Sequence, residues 1–343
     1  MDDCCSEKSQ SGSCNNETNI MRASSKLTLR DVFGSWSARW GINRMNYKVE
    51  PGLYSIGKPD SDSPVLVTAN YKMSFDALRK KLKGINAWIL VLNTMGINVW
   101  CAAGKGTFGT SELINRIRSV NLEQVVSHKN LILPQLGAVG VSAHELQRSI
   151  GFKVVYGPVR AKDIRRFLKN GMTATTKMRT VRFNFFDRLV LTPMELVGSI
   201  KSTLIVFGVL FILNSIKLGD FSSISALAYL GALIVGCVIV PALLPIIPGR
   251  AFAWKGWLLG MFWAIGLNLI IGWPQTMGNY MVAIAYILIL PAVSAFYAMN
   301  FTGASTYASP SGVLKEMKTA VPMIIISICL GAAIFLANGF IKV

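Results

Sequence analysis

The sequence predicts a Rossmann-like α/β domain followed by an all-α transmembrane domain of five helices. Three observations predict it. Of 343 residues, 52% are hydrophobic and 15% charged, too apolar a balance for one soluble domain. The formal charge of +18 is unevenly placed, with 27 Lys and Arg against 14 Asp and Glu before Arg188, and 8 against 3 from Arg188 onward. Before Arg188, short β-rich runs alternate with charged helical periods, and after it long apolar runs follow one another. These shifts set the boundaries at a flexible N-terminal leader, 1–48, a cytoplasmic domain, 49–187, and a transmembrane domain, 188–343.

The leader opens Ser- and Asn-rich and lacks the apolar core of a secretory signal, which leaves the head in the cytoplasm, where thiols stay reduced. Cys4, Cys5, Cys14, Cys101, Cys237 and Cys329 form neither a disulfide ladder nor a paired CxxC pattern. That spacing argues against an iron–sulfur cluster or a structural zinc in this chain.

In the head, strands are expected at 65–69, 88–92, 131–133 and 153–156, with a weaker candidate at 180–185. Helices are expected at 75–83, 111–120, 143–150 and 161–169, where apolar positions recur every three or four residues. Such a βαβ rhythm gives a parallel sheet whose ligands sit beyond the carboxyl ends of the strands. The candidate binding residues are therefore Thr68, Ala69 and Asn70 after the first strand and Gln135, Leu136, Gly137, Gly140 and Val141 after the third. Gly157 and Pro158, with Arg160, follow the fourth. These turns serve a bound ligand or are ordinary strand-to-helix connections. The stretch 104–109 satisfies GxGxxG, but it begins well past the strand it should follow. It fails as a Walker A loop too, because Gly106 follows Lys105 and Val99 stands where the first Gly belongs. The basic segments 79–83 and 165–169 carry no aromatic interleaving, so solvated faces or anionic-lipid contact explain them better than nucleic acid.

Five apolar runs, 203–218, 224–247, 251–271, 277–299 and 320–341, are each near the ~20 residues that cross hydrocarbon as a helix. Lys177, Arg179, Arg182, Arg188 and Lys201 precede the first, Arg250 and Lys255 join the second and third, and Lys315 and Lys318 join the fourth and fifth. The opposite side has Lys217 and Lys342, so the positive-inside rule puts the head in the cytoplasm and the C-terminus outside. Trp254, Trp257 and Trp273 are interfacial anchors or core residues, and Pro241, Pro245, Pro248 and Pro291 mark kinks or ends. The runs hold no acid, His pair or Arg series, which argues against a pump or coupled transporter. Cys237 and Cys329 pack as small hydrophobes or meet a soft metal.

The most informative segment is Asn98-Val99-Trp100-Cys101-Ala102-Ala103-Gly104-Lys105. As a helix it sets one thiol among small residues, so a flat, wide ligand could approach, and Lys105 lies one turn on, where a cation favours the thiolate. The alternative is a structural cysteine beside the sheet. This octapeptide matches the cap-helix pattern N-V/I-W-C-A-A/G-G-K, and from about residue 49 to 195 the chain resembles the mercury-methylating corrinoid protein family. The resemblance implies an α/β Rossmann-like corrinoid-binding domain followed by five transmembrane helices. Corrinoid iron–sulfur proteins of the acetyl-CoA pathway resemble the head more distantly, since they carry cluster-binding cysteines and no membrane tail.

The resemblance further implies that the Cys101 thiolate is the lower axial ligand of the corrinoid cobalt. A soft anionic sulfur donates along that axis and favours Co(III), the state left when a methyl group departs to a soft acceptor such as Hg(II). It implies a cytoplasmic-membrane methyltransferase forming methylmercury. Its expected partners are a ferredoxin-like reductant with two four-iron, four-sulfur clusters and a methyltetrahydrofolate-type donor acting through a separate methyltransferase. His128 and His144 are alternative cobalt ligands or, in a polar turn and at a helix start, surface and capping residues. The vicinal Cys4 and Cys5, with Cys14, capture Hg(II) or are incidental thiols of the leader. Two rival readings remain: a membrane-anchored corrinoid methyl carrier for another acceptor, and a nucleotide-binding membrane transporter or scaffold.

Overall fold

The computed structural model describes residues 20–216, 222–272 and 276–342. The described residues divide into two compact units, one from 20–35 and 43–181 and the other from 36–42 and the part beyond 181.

The first unit is built on a six-stranded sheet of β1 (Ile20–Ala23), β2 (Gly52–Ile56), β3 (Val65–Ala69), β4 (Ala87–Leu92), β5 (Asn130–Leu133) and β6 (Lys153–Tyr156). Their order across the sheet is β1-β2-β4-β3-β5-β6. Strands β4, β3, β5 and β6 run parallel, as expected, but β2 lies antiparallel to β4. The sheet is therefore mixed, a departure from the purely parallel expectation. β2 pairs with the second strand of the βαβ series from outside it, in the reverse direction. Between β3 and β5 the order of connection reverses, which makes a topological switch point there.

Both faces of the sheet are covered, and this explains the unbroken apolar run of β4 and the run of β3, apolar but for Thr68, both buried at every position. Val65, Val67 and Ala69 join one core with Leu90, Leu133 and Phe152, while Leu66 joins the other with Ile89, Ile132 and Phe167. Along the chain the helices up to residue 181 are α1 (Leu29–Arg39), of which the residues from Trp36 on are assigned to the second unit, α2 (Lys72–Lys81), α3 (Val99–Lys105), α4 (Thr110–Ser119), the single turn α5 (Leu122–Val125), α6 (Ala143–Ile150), α7 (Ile164–Lys169) and α8 (Thr176–Arg179).

Two boundaries differ from expectation. Residues 20–48, read as leader, contain β1 and α1, and residues 1–19, with Cys4, Cys5 and Cys14, lie outside the described residues. Four charged side chains hold this segment down. Lys72 Nζ lies 2.6 Å from Asp31 Oδ1 and 2.8 Å from Asp76 Oδ2, and Arg79 reaches Asp31 at 2.8 Å and Asp76 at 2.6 Å. Arg79 also donates to the carbonyls of Ser24 and Lys26. It is thus withdrawn from the basic patch expected at 79–83. At the other boundary, the strand candidate 180–185 is not a strand. Asn184 caps α9 (Phe185–Leu189), its Oδ1 accepting the Asp187 N–H at 2.9 Å, so the chain turns into helix. The first unit ends at Val181 rather than 187.

The second unit continues with α10 (Thr192–Ser215), α11 (Ser223–Ile234), a π turn Val235–Ile239, α12 (Val240–Leu243), α13 (Phe252–Ile271), α14 (Met277–Asn300) and α15 (Pro310–Lys342). Among the described residues, five helical stretches are long and apolar enough to cross a membrane: Phe185–Ser215, Ser223–Leu243, Phe252–Ile271, Met277–Ala304 and Ser311–Phe340. Each contains most of one expected apolar run. They pack through small residues. A side chain at Gly256 or Gly260 would collide with the Ala295 or Pro291 backbone, so this GxxxG pair lets α13 lie directly on α14. The outer stretches carry Ile205, Ile212, Met323 and Phe340 exposed, an apolar surface that suits lipid. Trp254 and Trp257 stack at 5.4 Å, and Trp273 and Lys217 lie outside the described residues.

Hydrogen bonds from Lys72, Thr28 and Arg79 outweigh burial and hold the Asp31 carboxyl below the usual carboxylate range. Its stabilisation is therefore complete above the unfolded value of about 3.8 and lost as pH falls through the lower folded value. Asp31→Asn is expected to cost about 2–3 kcal/mol at neutral pH, less than a fully buried pair because Lys72 is partly open. Hydrogen exchange across β1 and residues 28–31 checks both points. The wild type loses protection in acid, whereas the variant is weak throughout and less pH-dependent.

Candidate functional site

The site is built outward from the end of β3. Asn70 follows that strand, 3% exposed, and its N–H donates to Leu92 O of β4 at 3.0 Å. Its Oδ1 accepts the N–H groups of Thr94 at 3.1 Å and Gly96 at 2.9 Å. The Thr94 hydroxyl, fully buried, sits between Asn70 Oδ1 at 2.9 Å and Ile97 O at 2.7 Å. One carboxamide therefore shapes the loop that leads from β4 to α3. Gly96 has φ 77°, and a side chain there would meet Met45 O at 2.8 Å, so the tight turn needs glycine.

Asn98 then starts α3, its Oδ1 accepting the Cys101 N–H at 2.9 Å. Gly106, in the left-handed region at φ 80°, ends it. The seven residues present two faces. Val99, Ala102 and Ala103 are buried in the sheet's core, while Trp100, Cys101, Gly104 and Lys105 are exposed. Among the described residues nothing lies within 4 Å of where a Gly104 side chain would begin, which leaves the surface one turn from the thiol open to them. Behind the helix, the turn after β5 fits closely. A side chain at Gly140 would meet Ala103 Cα at 3.0 Å, and one at Gly137 would meet the Phe108 ring.

A recess of about 310 Å³ lies at the carboxyl ends of β3 and β5, at the switch point. Of the expected residues, Thr68, Asn98, Val99, Trp100, Leu136, Gly157 and Pro158 line it. Cys101, Ala102, Ala103, Gly104 and Lys105 belong to the adjoining helix but not to the recess wall, and the thiol stands on the exposed face beside it. Ala69, Asn70, Gln135, Gly137, Gly140 and Val141 also lie outside the lining. Asn70, Gly137 and Gly140 hold α3 in place, and Val141 O accepts the Tyr156 hydroxyl at 3.1 Å. Sequence reasoning missed Ser74, Ala77 and Leu78 of α2 and Ile164 of α7, which close the recess. Small residues three apart at the start of α2, Ser74 and Ala77, were the available signal.

Neither histidine reaches the recess lining. His128 Nε2 is 3.0 Å from Ser63 O and its Nδ1 accepts the Asn130 N–H, at the far end of β5, and His144 is exposed on α6. The glycines of 104–109 end α3 and begin α4 instead of following a strand, so the nucleotide fingerprint lacks its geometry.

Fold and site together define a doubly wound α/β domain with a switch-point recess and an exposed thiol on a short adjoining helix, joined in one chain to a unit of membrane-length helices. Residues 32–168 match the family described as CO dehydrogenase/acetyl-CoA synthase delta subunit (CdhD). The gamma subunit of the acetyl-CoA decarbonylase/synthase complex of Archaeoglobus fulgidus is 34% identical over 128 residues, 37% of this chain and 27% of the relative. That of Methanopyrus kandleri is 32% identical over 124 residues, 36% and 26% of the two chains. The corrinoid/iron-sulfur protein large subunit of Moorella thermoacetica is 28% identical over 129 residues, 37% and 28%. The chain thus spans about a quarter of the length of these curated relatives. The five membrane-length stretches lie outside the family match.

Asn70→Ala strips a buried acceptor from the Thr94 and Gly96 N–H groups and is expected to destabilise the first unit by about 2–4 kcal/mol. Asn98→Ala removes only a helix cap and is expected to cost about 1 kcal/mol. In both variants hydrogen exchange across 93–105 and alkylation of Cys101 should accelerate, more so in Asn70→Ala. Equal and unchanged rates would refute the anchoring role.

Proposed function

We propose that the chain is a membrane-anchored, corrinoid-dependent methyltransferase that converts Hg(II) to methylmercury, with the Cys101 thiolate as the lower axial ligand of cobalt. The observation that carries this reading is the octapeptide 98–105 folded as a short helix with its thiol exposed next to the switch-point recess. Similarity of residues 32–168 to a family with acetyl-CoA synthase subunits, and to a protein whose name includes a corrinoid, supports it from another direction.

The residues present fit such a cofactor. Among the described residues no three His, Cys, Asp or Glu side chains group to cage a metal ion, so Cys101 offers one protein ligand, which suits a metal already held by a macrocycle. Gly104 leaves the surface beside the thiol free of bulk, and the recess is smaller than a corrinoid, so Thr68, Trp100, Leu136 and Pro158 would hold its edge or appended groups. When bound, the corrinoid supplies a methyl group carried on cobalt. Cys101 contributes a soft donor whose electron density suits transfer to a soft acceptor such as Hg(II). The Asn98 cap and the close fit of Gly140 behind α3 keep that donor from shifting.

This activity requires a reductant, for which a ferredoxin-like protein with two four-iron, four-sulfur clusters is the proposed partner, and a methyltetrahydrofolate-type donor with its own methyltransferase. The A. fulgidus and M. kandleri relatives are by name subunits of a complex, a precedent in kind for such partners. The five apolar stretches and the basic loops support a cytoplasmic membrane with the head inside. The acetyl-CoA-related names of these relatives favour one second reading, a membrane-anchored corrinoid methyl carrier for an acceptor other than Hg(II).

Anaerobically purified protein loaded with corrinoid separates the readings. Stoichiometric cobalt is expected, with an ultraviolet–visible spectrum that changes in Cys101→Ala. Methylmercury formation by the equally loaded Cys101→Ala is expected to fall to background, while Cys237→Ala and Cys329→Ala retain it. Wild-type rates in Cys101→Ala would exclude the ligation. A methylated, reduced wild type that leaves Hg(II) unmethylated points to the other acceptor, and absence of cobalt from folded protein removes both.

A further inference from the structure

In the second unit, two cations cap one helix terminus. Arg188, 4% exposed, donates from Nε to Pro241 O at 2.9 Å, from Nη2 to Ala242 O at 2.8 Å and from Nη1 to Phe183 O at 2.7 Å. Lys255, 6% exposed, donates from Nζ to Leu244 O. Positive charge at the C-terminal end of α12 is electrostatically favourable, and with the Phe183 carbonyl it accounts for Arg188. It leaves Lys255 with two further ammonium protons.

Lys255 also lines a pocket of about 300 Å³ together with Arg250 and Tyr307, between apolar walls from Leu244, Pro245 and Phe252. Among the described residues, no acid lines this pocket and no carboxylate forms an ion pair with Arg250 or Lys255. Glu316, which accepts the Ala253 N–H at 2.6 Å, lines a different cavity. Lys255 is desolvated while Arg250 is open to solvent, and no carboxylate among the described residues neutralises either.

We propose that this pocket binds a phosphate-type oxyanion, the chemistry shared by a glycerophospholipid headgroup and free phosphate. Lys255 supplies a fixed, buried charge, Arg250 a planar pair of donors at the mouth, and the Tyr307 hydroxyl a third donor. The apolar walls suit the carbon skeleton of a phosphodiester.

The full chain in neutral detergent is titrated with phosphatidylglycerol, with diacylglycerol of the same tails, and with sodium phosphate against sodium chloride at equal ionic strength. Binding is counted by native mass spectrometry and by the shift in unfolding midpoint. One phosphatidylglycerol is expected to bind where diacylglycerol does not, roughly tenfold more weakly in Arg250→Gln and unchanged in Lys315→Gln, an exposed cation elsewhere. Displacement of the lipid by millimolar phosphate identifies free phosphate as a ligand, and no displacement identifies the headgroup. Lys255→Met tests the buried charge, but Arg250→Gln, at an exposed position, decides if that variant does not fold. Equal binding of diacylglycerol, or undiminished affinity in Arg250→Gln, overturns the site.

Discussion

The position of Cys101 depends on the Asn70 carboxamide. That side chain leaves the end of β3, is closed off from water, and gathers the Thr94 and Gly96 N–H groups onto one oxygen. A loop forced through a left-handed Met95–Gly96 pair would otherwise strand those donors inside the protein. Because β3 is fixed between β4 and β5, whatever is tied to its last residue inherits the rigidity of the sheet. The exposed thiol thus gains a fixed position without being buried. A buried cysteine would be just as rigid but could not meet a ligand.

The same economy explains why α3 is only seven residues long. Such a helix is unstable alone, and here both ends are capped while one face of Val99, Ala102 and Ala103 is sealed by the core and by the turn through Gly137 and Gly140. Small residues do two jobs on opposite sides. Ala103 admits the backbone of Gly140 behind the helix, and Gly104 keeps the front clear. Larger residues at either place would fill the space that a ligand or a neighbouring turn requires.

The parts of this arrangement that rest on local pattern were readable in the sequence. β3, apolar but for Thr68, and β4 announce themselves as apolar runs because both faces of the sheet are covered, and α2, α4, α6 and α7 as amphipathic periods. β1 and β2 did not, since Ile20–Ala23 is four residues in a polar region and the reversed direction of β2 is a property of its pairing, not of its composition. For the site, strand-end position nominated Thr68, Gly157 and Pro158 and the octapeptide nominated Trp100, and all four line the recess. The same logic nominated Asn70, Gly137 and Gly140, which serve the loop and helix instead. Strand-end position identifies where a polar side chain emerges, but whether it meets a ligand or a neighbouring N–H depends on the loop that closes over it. Ser74, Ala77 and Ile164 were missed because they enter the recess from helices that arrive only through the tertiary fold.

The membrane-length helices apply a different rule to a related difficulty. Their contacts depend on close backbone approach at Gly236, Gly256 and Gly260 against Ser294, and on the Ser294 hydroxyl donating to Ala232 O at 2.7 Å. Such packing does not need charge, so the buried cations here require a separate reason. Arg188 has one, since the end of α12 exposes carbonyls that an isolated helix would turn to water. The sequence expectation of no acid, His pair or Arg series concerned the apolar runs themselves. The helices extend further, and their ends carry Glu195, Lys255 and Glu316. Charge thus stays at or beyond the ends of the expected apolar runs, where a carbonyl, an N–H or an oxyanion can meet it, and their centres are left to shape alone.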